Sequence, residues 1–336
     1  MKIKIFPYQA HCFATGGFEN LMNSTFNSIQ SLGVSISKID IWAKDSDFDI
    51  AHFWGLGVAN FTNIIWAKKD HKKIIVTCIL PSFTTFNQKI RFFISKTIGR
   101  QKMLFDVLNH IDVLVVTSKR SKSVAIKYYK FPSDRVYIIP NTILASYYNN
   151  LDNNKVNPLI KIKDYAFTIG SVCKRKNQIK LALACLEIDV NLLIIGPVMS
   201  GEEDYGAELE LLISKSNRIV WIKNMKRDSI ELINAYKNAI LFALPSFEEE
   251  QPTSAQEAGL LGKPLLLGDR QYANQIFYKN AYLAEPNSIN SIAKGLKSII
   301  ESPNRFIPPY SVFSACKEEN VAREYIKIYE TTNKFQ

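Results

Sequence analysis

Apolar runs and longer helical patterns alternate along this 336-residue chain, and the whole alternation occurs twice. Most of the runs are apolar throughout, which is typical of parallel strands that helices cover on both faces. In the first half, the predicted strands are Lys2–Phe6, Ser35–Trp42, Asp49–Trp54, Lys73–Cys78, Asp112–Thr117 and Arg135–Ile139. In the second half, they are Tyr165–Gly170, Asn191–Gly196, Arg218–Ile222, Ala239–Leu244, Lys263–Leu267 and Ala281–Ala284. The sequence therefore predicts an α/β protein with two doubly wound domains.

The break between the domains is predicted at residues 147–163, a segment rich in Asn and Lys that contains a proline. The N-terminal domain then comprises residues 1–150 and the C-terminal domain residues 160–310. A last helix, residues 318–333, is expected to pack back on the N-terminal domain. Ligands of open α/β sheets bind at the carboxyl ends of the strands, so a nucleotide cleft between the two domains is expected.

The composition is that of a soluble globular protein, with 47% hydrophobic and 22% charged residues. Five cysteines are scattered without a CxxC pair, which supports neither a zinc site nor a disulfide framework and indicates reduced thiols. The first residues lack the apolar core of a signal peptide, and the longest apolar runs are far shorter than the roughly 20 residues that span a bilayer. These features predict a cytoplasmic protein that does not cross a membrane by itself.

The net charge of +11 is concentrated in residues 1–150, which contain 19 Lys and Arg but 9 Asp and Glu. Within this half, residues 84–110 mix basic residues with Phe, Ile, Leu and Met. The mixture favours an amphipathic helix that lies on an anionic membrane surface. An ordinary helix with its apolar stripe in the core and a solvated basic face is the alternative. Nucleic-acid binding is not favoured, because no RNA- or DNA-binding motif accompanies the charge.

Two glutamates eight positions apart, Glu249 and Glu257, follow a predicted strand. Glu249 lies in a polar loop, and Glu257 lies one turn into a helix that begins near Ser254. Free backbone N–H groups at a helix start bind anions, so Gln251, Thr253 and Ser254 are candidate binding residues. A carboxylate can accept hydrogen bonds from the hydroxyls of a sugar. Alternatively, Ser254 and Glu257 form a capping box, in which the glutamate bonds back to the helix start.

Two further loops follow predicted strands. The first contains Lys174, Arg175 and Lys176, and cations at the end of a parallel strand can neutralise a diphosphate. A solvated basic loop is the alternative. The second contains Gly16 and Gly17 before a helix, where glycine permits positive φ and a close approach of the backbone to a phosphate. Glycines are also common in loops without any binding role, which would equally explain these two.

In this order, the segments resemble glycosyltransferase family 4, whose members are retaining enzymes of GT-B architecture. The resemblance covers nearly the whole chain, and the glutamate spacing combined with the basic loop is its most specific part. The matching segments are GGFEN, FDIAHFWG, DVLVVTSKRSKSVAIKYY, RVYIIPNTI, IGSVCKRKNQ, LLIIGP, LINAYKNAILFALPSFEEE and QEAGLLGKPLLLG. The resemblance implies two Rossmann-like domains facing across a cleft, with a nucleoside-diphosphate sugar as the donor substrate.

The resemblance also implies roles for individual residues. Glu257 is expected to bind the ribose hydroxyls of the donor. Glu249 is expected to lie against the donor hexose and to support the transition state. Lys176, six residues after Gly170, matches the diphosphate lysine of the family.

Other expected donor contacts match the family pattern less closely. The family usually has an arginine directly after this glycine, where the chain has Ser171, and Arg175 is the expected substitute. Gly17 is expected to bring backbone N–H groups toward the phosphates. Asn224 and Met225, after the predicted strand RIVWI, are expected to meet the nucleobase.

The chain departs from the family pattern at two places. Pro252 stands where the family often has glycine, and it has no N–H to donate to a phosphate. Residues 76–83 contain no histidine, which leaves the acceptor-side catalytic group open, and His52 is either a core histidine or a ligand contact. The resemblance implies no metal cofactor, because Lys176, Arg175 and helix N-termini would stabilise the leaving group. Asp45-Ser46-Asp47 has the spacing of a metal-binding DxD motif, but a turn is predicted there.

The expected function is that of a retaining hexosyltransferase on the inner face of the cell membrane, as a peripheral protein. It would move a sugar from a UDP- or GDP-linked donor to a saccharide or lipid-linked saccharide in bacterial-type surface polysaccharide assembly. Two alternatives stay open: a nucleotide-sugar epimerase of the same fold, and a non-catalytic protein that binds polyanions or membranes.

Overall fold

The computed structural model describes residues 1–12, 16–80, 99–150 and 160–334, and for residues 99–101 it describes the backbone only. The chain divides into two compact units, Met1–Thr142 with Ala315–Gln336, and Ile143–Ser314. The division falls at Thr142 and not at residue 150, because the short helix Ala145–Asn149 buries Tyr147 in the second unit. The last helix, Glu318–Lys334, belongs to the first unit.

Among the described residues, the first unit contains a parallel sheet of six strands. These strands are β1 Lys2–Phe6, β2 Ser35–Lys38, β3 Ile50–Trp54, β4 Lys73–Thr77, β5 Val113–Val116 and β6 Val136–Ile138. They lie in the order β2-β1-β3-β4-β5-β6. The helices described here are α1 Gly17–Ser31, α2 Val58–Lys69, α3 Gly99–Leu108, α4 Lys119–Lys127 and, from the end of the chain, α11 Glu318–Lys334.

The second unit also contains a six-stranded parallel sheet within the described residues. Its strands are β7 Tyr165–Ile169, β8 Asn191–Ile195, β9 Ile219–Ile222, β10 Leu241–Leu244, β11 Leu265–Gly268 and β12 Tyr282–Ala284. They lie in the order β12-β11-β10-β7-β8-β9. Its described helices are α5 Ala145–Asn149, α6 Gln178–Glu187, α7 Glu203–Ile213, α8 Ile230–Asn238, α9 Thr253–Leu260 and α10 Ile289–Glu301.

Every predicted strand is present, and the predicted fold class of two doubly wound α/β units is confirmed. The largest difference is at β2, which ends at Lys38 and not at Trp42. This edge strand pairs only with β1, and its last backbone bond joins Ile39 N–H to the carbonyl of Ile5. Beyond β1 the chain continues with Pro7, and proline has no N–H to extend the ladder.

His52 lies on β3, in the core of the first unit. Its side chain is fully buried, with Nδ1 2.8 Å from the Tyr329 hydroxyl and Nε2 2.9 Å from Thr77 Oγ1. Burial lowers the pKa of His52 to about 3, so the ring is neutral at physiological pH. His52 is therefore a core residue that joins β3 and β4 to α11, and not a ligand contact.

The predicted membrane helix over residues 84–110 lies largely outside the described residues. The described part, α3, packs its apolar side into the core, where Val107 is 1% and Leu108 is 6% exposed. Lys102 and Met103 are exposed. For this part of the segment, the structure has an ordinary helix with a buried stripe. Within the described ranges, no helix is both long and apolar enough to cross a membrane.

The predicted turn at Asp45-Ser46-Asp47 is present. Asp45 Oδ1 accepts a hydrogen bond from the backbone N–H of Asp47 at 2.9 Å. Lys4 pairs with Asp45 at 2.9 Å, and Lys2 pairs with Asp47. Hydrogen bonding from Lys4 lowers the pKa of Asp45 below its ordinary value. Both carboxylates therefore have lysine partners on β1.

Candidate active site

Two loops meet at the carboxyl edge of the second sheet. One follows β7 and the other follows β10, and these two strands are parallel neighbours. The order of the strands reverses between them, because β8 and β9 extend the sheet on one side of β7 while β10 lies on the other. Such a topological switch point is the usual ligand site of an open α/β sheet.

The two loops bring Glu249, Arg175 and Lys176 together. Arg175 Nη1 lies 2.7 Å and Lys176 Nζ lies 3.3 Å from the same oxygen, Glu249 Oε1. The Ser246 hydroxyl donates a hydrogen bond to this oxygen at 3.2 Å. Burial by itself would raise the pKa of Glu249, but the charges of Lys176 and Arg175 and their hydrogen bonds outweigh it and lower the pKa below its ordinary value. The site therefore contains one carboxylate between two cations.

Backbone contacts hold the two loops in this arrangement. Arg175 donates from Nη1 to the carbonyl of Glu248 at 2.6 Å, and its own carbonyl accepts from Phe247 N–H at 2.9 Å. Asn177 adopts a left-handed backbone with φ of 64°. Its buried amide donates to the carbonyls of Pro245 at 3.2 Å and Pro286 at 2.7 Å. The positions of the cations are thus set by hydrogen bonds from three loops at one edge of the sheet.

Gly170 supplies the room that Lys176 needs. Its φ is +134°, and a Cβ on it would lie 2.7 Å from Lys176 Nζ. A Cβ on Gly196, at the end of β8, would lie 2.3 Å from the carbonyl oxygen of Gly170. Side chains at these two positions would collide with the lysine or with the backbone. Ser171 carries no charge, and its carbonyl accepts from Gln178 Nε2 at 3.0 Å, so Arg175 supplies the second positive charge.

Glu257 lies on α9 and is 3% exposed. Arg227 Nη2 donates to its Oε1 at 3.2 Å, and the Tyr236 hydroxyl donates to its Oε2 at 2.7 Å. Arg227 Nη2 also lies 3.4 Å from Thr253 Oγ1. The carboxylate is therefore held by a charge on one oxygen and by a phenol on the other.

The capping box that was the alternative role for Glu257 does not form. The N-cap residue is Pro252, which makes no side-chain cap bond, and the helix begins at Thr253. Ser254 is consequently the second residue of the helix and not its cap. The glutamate lies too far into the helix to bond back to its start, and both of its oxygens accept from side chains instead.

The remaining predicted binding residues of this unit have different surroundings. Gln251 is 4% exposed and donates from Nε2 to Gln275 Oε1 at 2.8 Å, so its side chain helps to build the loop. Thr253 and Ser254 are half-buried at the start of α9. In the loop after β9, Asn224 is exposed and Met225 is half-buried.

Gly16 and Gly17 belong to the first unit, at the start of α1. Neither has a positive φ. Gly16 is the N-cap with φ of −143°, and its N–H donates to Glu19 Oε2 at 2.9 Å. Glu19 is buried, and its carboxylate occupies the helix start where a phosphate was expected. A Cβ on Gly17 would meet nothing within 4 Å.

Three residues of the second unit were missed from the sequence: Arg227, Tyr236 and Tyr147. Tyr147 donates from its hydroxyl to the carbonyl of Arg227 at 3.0 Å, and its ring meets the ring of Tyr236 edge-on at 5.9 Å. In the sequence, the tyrosines look like core residues and Arg227 looks like a surface cation. No spacing rule links them to Glu257.

No group of three or more His, Cys, Asp or Glu side chains in the described ranges could hold a metal ion. The metal independence inferred from the family resemblance stays a prediction.

Residues 151–308 match the family model described as glycosyl transferases group 1. No match was found among curated proteins. The matched segment contains Arg175, Lys176, Arg227, Glu249 and Glu257. The family match is therefore to the second unit, where the two carboxylate clusters lie.

The fold is similar to that of several solved proteins. HepE of Anabaena, solved with UDP and glucose, superimposes with a TM-score of 0.75 at 13% identity, covering 98% of this chain and 100% of HepE. Sucrose-phosphate synthase of Thermosynechococcus elongatus has a TM-score of 0.72 at 13% identity, covering 98% and 99%. The UDP-GlcNAc 2-epimerase of Methanocaldococcus jannaschii has a TM-score of 0.61 at 12% identity, covering 98% and 100%.

Proposed function

We propose that this protein is a glycosyltransferase that uses a nucleoside-diphosphate sugar. The observation that carries the proposal is the convergence of Arg175 and Lys176 on Glu249 Oε1 at a topological switch point. This convergence lies within the segment that matches the group 1 glycosyl transferases. Two cations at the carboxyl edge suit the diphosphate of the donor, and a carboxylate beside them suits its sugar.

The chemistry follows from the charges. The bond between the anomeric carbon and the diphosphate oxygen breaks, and negative charge grows on the leaving diphosphate. Lys176 and Arg175 would stabilise that charge, as preorganised cations do in a site shielded from water. Glu249, displaced from the cations by the diphosphate, would face the positive charge that develops on the sugar ring.

We further propose that the reaction retains the anomeric configuration and needs no metal. The acceptor hydroxyl would attack from the face that the diphosphate leaves, and its proton would pass to the departing phosphate oxygen. The two cations would stabilise the negative charge of the diphosphate, as a divalent metal ion would otherwise do. UDP-glucose is the first donor to test, since HepE was solved with UDP and glucose.

The proposed acceptor is a saccharide or lipid-linked saccharide of a bacterial-type surface polysaccharide, and the proposed location is the inner face of the cell membrane. The support is the charge: residues 1–150 hold 19 basic against 9 acidic residues. A basic surface is attracted to anionic lipid by about 1 kcal/mol per Lys or Arg near the membrane. Sedimentation with vesicles containing anionic lipid, at low and high salt, tests this part.

Transfer is tested by incubating the protein with radiolabelled UDP- and GDP-sugars and a membrane lipid extract, with and without EDTA. Label that moves into the lipid fraction, or hydrolysis of the donor, supports the proposal. The test variant is Glu249→Gln, which removes the central charge. Its matched control is Glu248→Gln, which changes the exposed acid beside it. NMR of the product gives the anomeric configuration. Failure of every common donor to react would contradict the proposal.

A nucleotide-sugar 2-epimerase is the second candidate, favoured by the similarity in fold to the M. jannaschii enzyme. An epimerase would convert the free donor into its epimer without an acceptor. Chromatography of the nucleotide sugars after incubation without acceptor separates the two candidates, because a transferase leaves the donor unchanged or releases free sugar. A non-catalytic polyanion-binding protein would do neither.

A further inference from the structure

Gln275 follows β11 in the chain and bonds to the loop that contains Glu249. Its Nε2 donates to the carbonyl of Glu250 at 2.7 Å and to the carbonyl of Tyr272 at 3.0 Å. Its Oε1 accepts from Gln251 Nε2 at 2.8 Å. A carbonyl can only accept, so its two carbonyl partners determine which end of the amide carries the nitrogen. Gln275 therefore joins two main-chain groups and one side chain in a single orientation.

The segment around Gln275 is itself attached to the sheet. The hydroxyl of Tyr272 accepts from the N–H of the last residue of β11 at 3.0 Å and donates to the carbonyl of the last residue of β10 at 3.0 Å. The hydroxyl of Tyr278 donates to the carbonyl of Pro252 at 3.2 Å. Both tyrosines are buried, which limits their motion. The segment thus gives residues 250–252 a fixed support.

The residues before Glu249 have a different support, the loop that follows β7. Phe247 N–H donates to the carbonyl of Arg175 at 2.9 Å. Arg175 Nη1 donates to the carbonyl of Glu248 at 2.6 Å and lies 2.7 Å from Glu249 Oε1. Glu249 is therefore preceded by residues that Arg175 holds and followed by residues that Gln275 holds.

A bound donor would affect the two supports differently. In the proposed reaction, Arg175 and Lys176 bind the diphosphate, so the Arg175 guanidinium would exchange its bonds to the loop for bonds to phosphate oxygens. The bonds of Gln275 involve neither cation. They would persist in the donor complex and hold the main chain directly after Glu249.

We propose that Gln275 is a positioning residue for Glu249. It fixes residues 250–252, so that the carboxylate of Glu249 faces the sugar once the diphosphate has taken its two cations. Gln275 itself touches neither the donor nor the acceptor in this proposal. The inference rests on the proposed function, since it concerns the placement of a carboxylate in that reaction.

Gln275→Met tests the proposal, because methionine keeps the length of the side chain and removes the amide. The kcat for transfer is expected to fall by about 10-fold or more, since a small misplacement of a catalytic group is costly. The Kd for UDP should stay within about twofold of the wild type, because the cations are unchanged. Initial rates with UDP-glucose and calorimetry with UDP measure the two quantities, with the GDP series used if GDP binds more tightly.

A double variant separates positioning from a general loss of stability. If Gln275 acts through Glu249, its substitution has nothing left to displace once the carboxylate is gone. The kcat of Glu249→Gln combined with Gln275→Met should then lie within about twofold of the kcat of Glu249→Gln alone. If the two residues act independently, the two losses multiply. Tyr278→Phe, which removes the bond to the Pro252 carbonyl, provides the same test if Gln275→Met does not fold.

Two control variants match the substitution. Gln271→Met makes the same change at an exposed position of the same segment. Asn191→Ala removes an amide that donates to the carbonyl of Lys163 at 2.8 Å. Asn191 is the first residue of β8, so it lies at the opposite edge of this parallel sheet from Glu249. Both variants should keep the kcat of the wild type.

The outcomes distinguish this inference from the proposed function. If Gln275→Met transfers sugar at the wild-type rate, or loses UDP binding together with transfer, the inference is wrong although the proposed function stands. The same holds if its loss of kcat multiplies with that of Glu249→Gln. If the wild type neither binds a nucleotide nor uses any nucleotide sugar, the proposed function itself is wrong. A lower kcat with unchanged UDP affinity, absent from the Glu249→Gln background, supports the inference.

Discussion

Arg175 Nη1 lies 2.7 Å from Glu249 Oε1, although the two residues follow different strands. Lys176 joins the same oxygen at 3.3 Å. The carboxylate thus pairs with both cations that the proposed donor diphosphate would need. A diphosphate that binds the two cations would therefore replace Glu249 as their partner, and Glu249 would then be released toward the sugar.

The exchange predicts opposite effects of Glu249→Gln on binding and on catalysis. The amide no longer pairs with Arg175 and Lys176, so UDP should bind as tightly as to the wild type or more tightly. Loss of the charge that faces the developing positive sugar should lower kcat by about 100-fold or more. Calorimetry and initial rates measure the two quantities. Glu248→Gln should change neither, and a variant of Glu249 that loses UDP binding together with transfer would contradict the exchange.

The two cations should act on the diphosphate and not on the nucleoside. Arg175→Ala and Lys176→Ala are each expected to raise the Kd for UDP by about 10- to 100-fold, since hydrogen bonds between charged groups are worth about 1.5–3 kcal/mol. The affinity for uridine should not change. Lys174→Ala, which alters the exposed neighbour, is the control. Equal losses for UDP and uridine would indicate a collapsed loop.

Glu249 should make the second unit sensitive to acid. Its folded-state pKa lies below the ordinary value of 4.5, so its contribution to stability is present above that pH. The contribution is lost as pH falls below about 4.5 toward the lower folded pKa, because the protonated group no longer pairs with the cations. Melting temperatures of the wild type and Glu249→Gln between pH 7 and 3 test this. The gap between the two proteins should narrow on the acid side, and a constant gap would contradict the prediction.

His52 should contribute to stability with a different pH dependence. In the folded protein its pKa is about 3, against 6.5 in an unfolded chain, so only the unfolded state takes up a proton as pH falls below 6.5. The wild type should therefore lose about 2 kcal/mol of unfolding free energy between pH 7.5 and 5 through this residue alone.

The comparison for His52 is His52→Gln, measured by urea unfolding at several pH values. This variant loses the paired contacts with Tyr329 and Thr77 and should be destabilised most at pH 7.5. The difference should shrink toward pH 5. UDP affinity should stay at the wild-type value, because His52 lies in the core of the first unit.

The fold could be predicted from local patterns. Strands such as β7 and β10 are uninterrupted apolar runs, and helices such as α6 and α9 follow them with the spacing of doubly wound units. Errors were confined to ends, as at β2, where the partner strand stops and proline follows. The observed domain boundary lies at Thr142, before the predicted one, because Tyr147 packs on Tyr236. The composition of the linker does not reveal this contact.

The candidate site could be predicted in part. The strand-end rule and the position of Lys176 in its loop correctly indicated that Arg175, Lys176 and Glu249 would lie at one edge of a sheet, and the structure brings them together. Whether they bind a donor stays a prediction. The predicted capping box was wrong by two positions, because the N-cap is Pro252 and not Ser254.

The sequence by itself therefore determined the two sheets and the loops that follow their strands at the carboxyl edges. Both depend on hydrophobic periodicity and on the order of elements, which can be read from short stretches of sequence. Only the tertiary structure decided which polar groups meet. Tyr236 and Arg227 lie 21 and 30 residues from Glu257 along the chain, and the folded structure brings them within hydrogen-bond distance of it, at 2.7 and 3.2 Å. A buried carboxylate needs such partners, and packing alone determines which side chains are close enough to supply them.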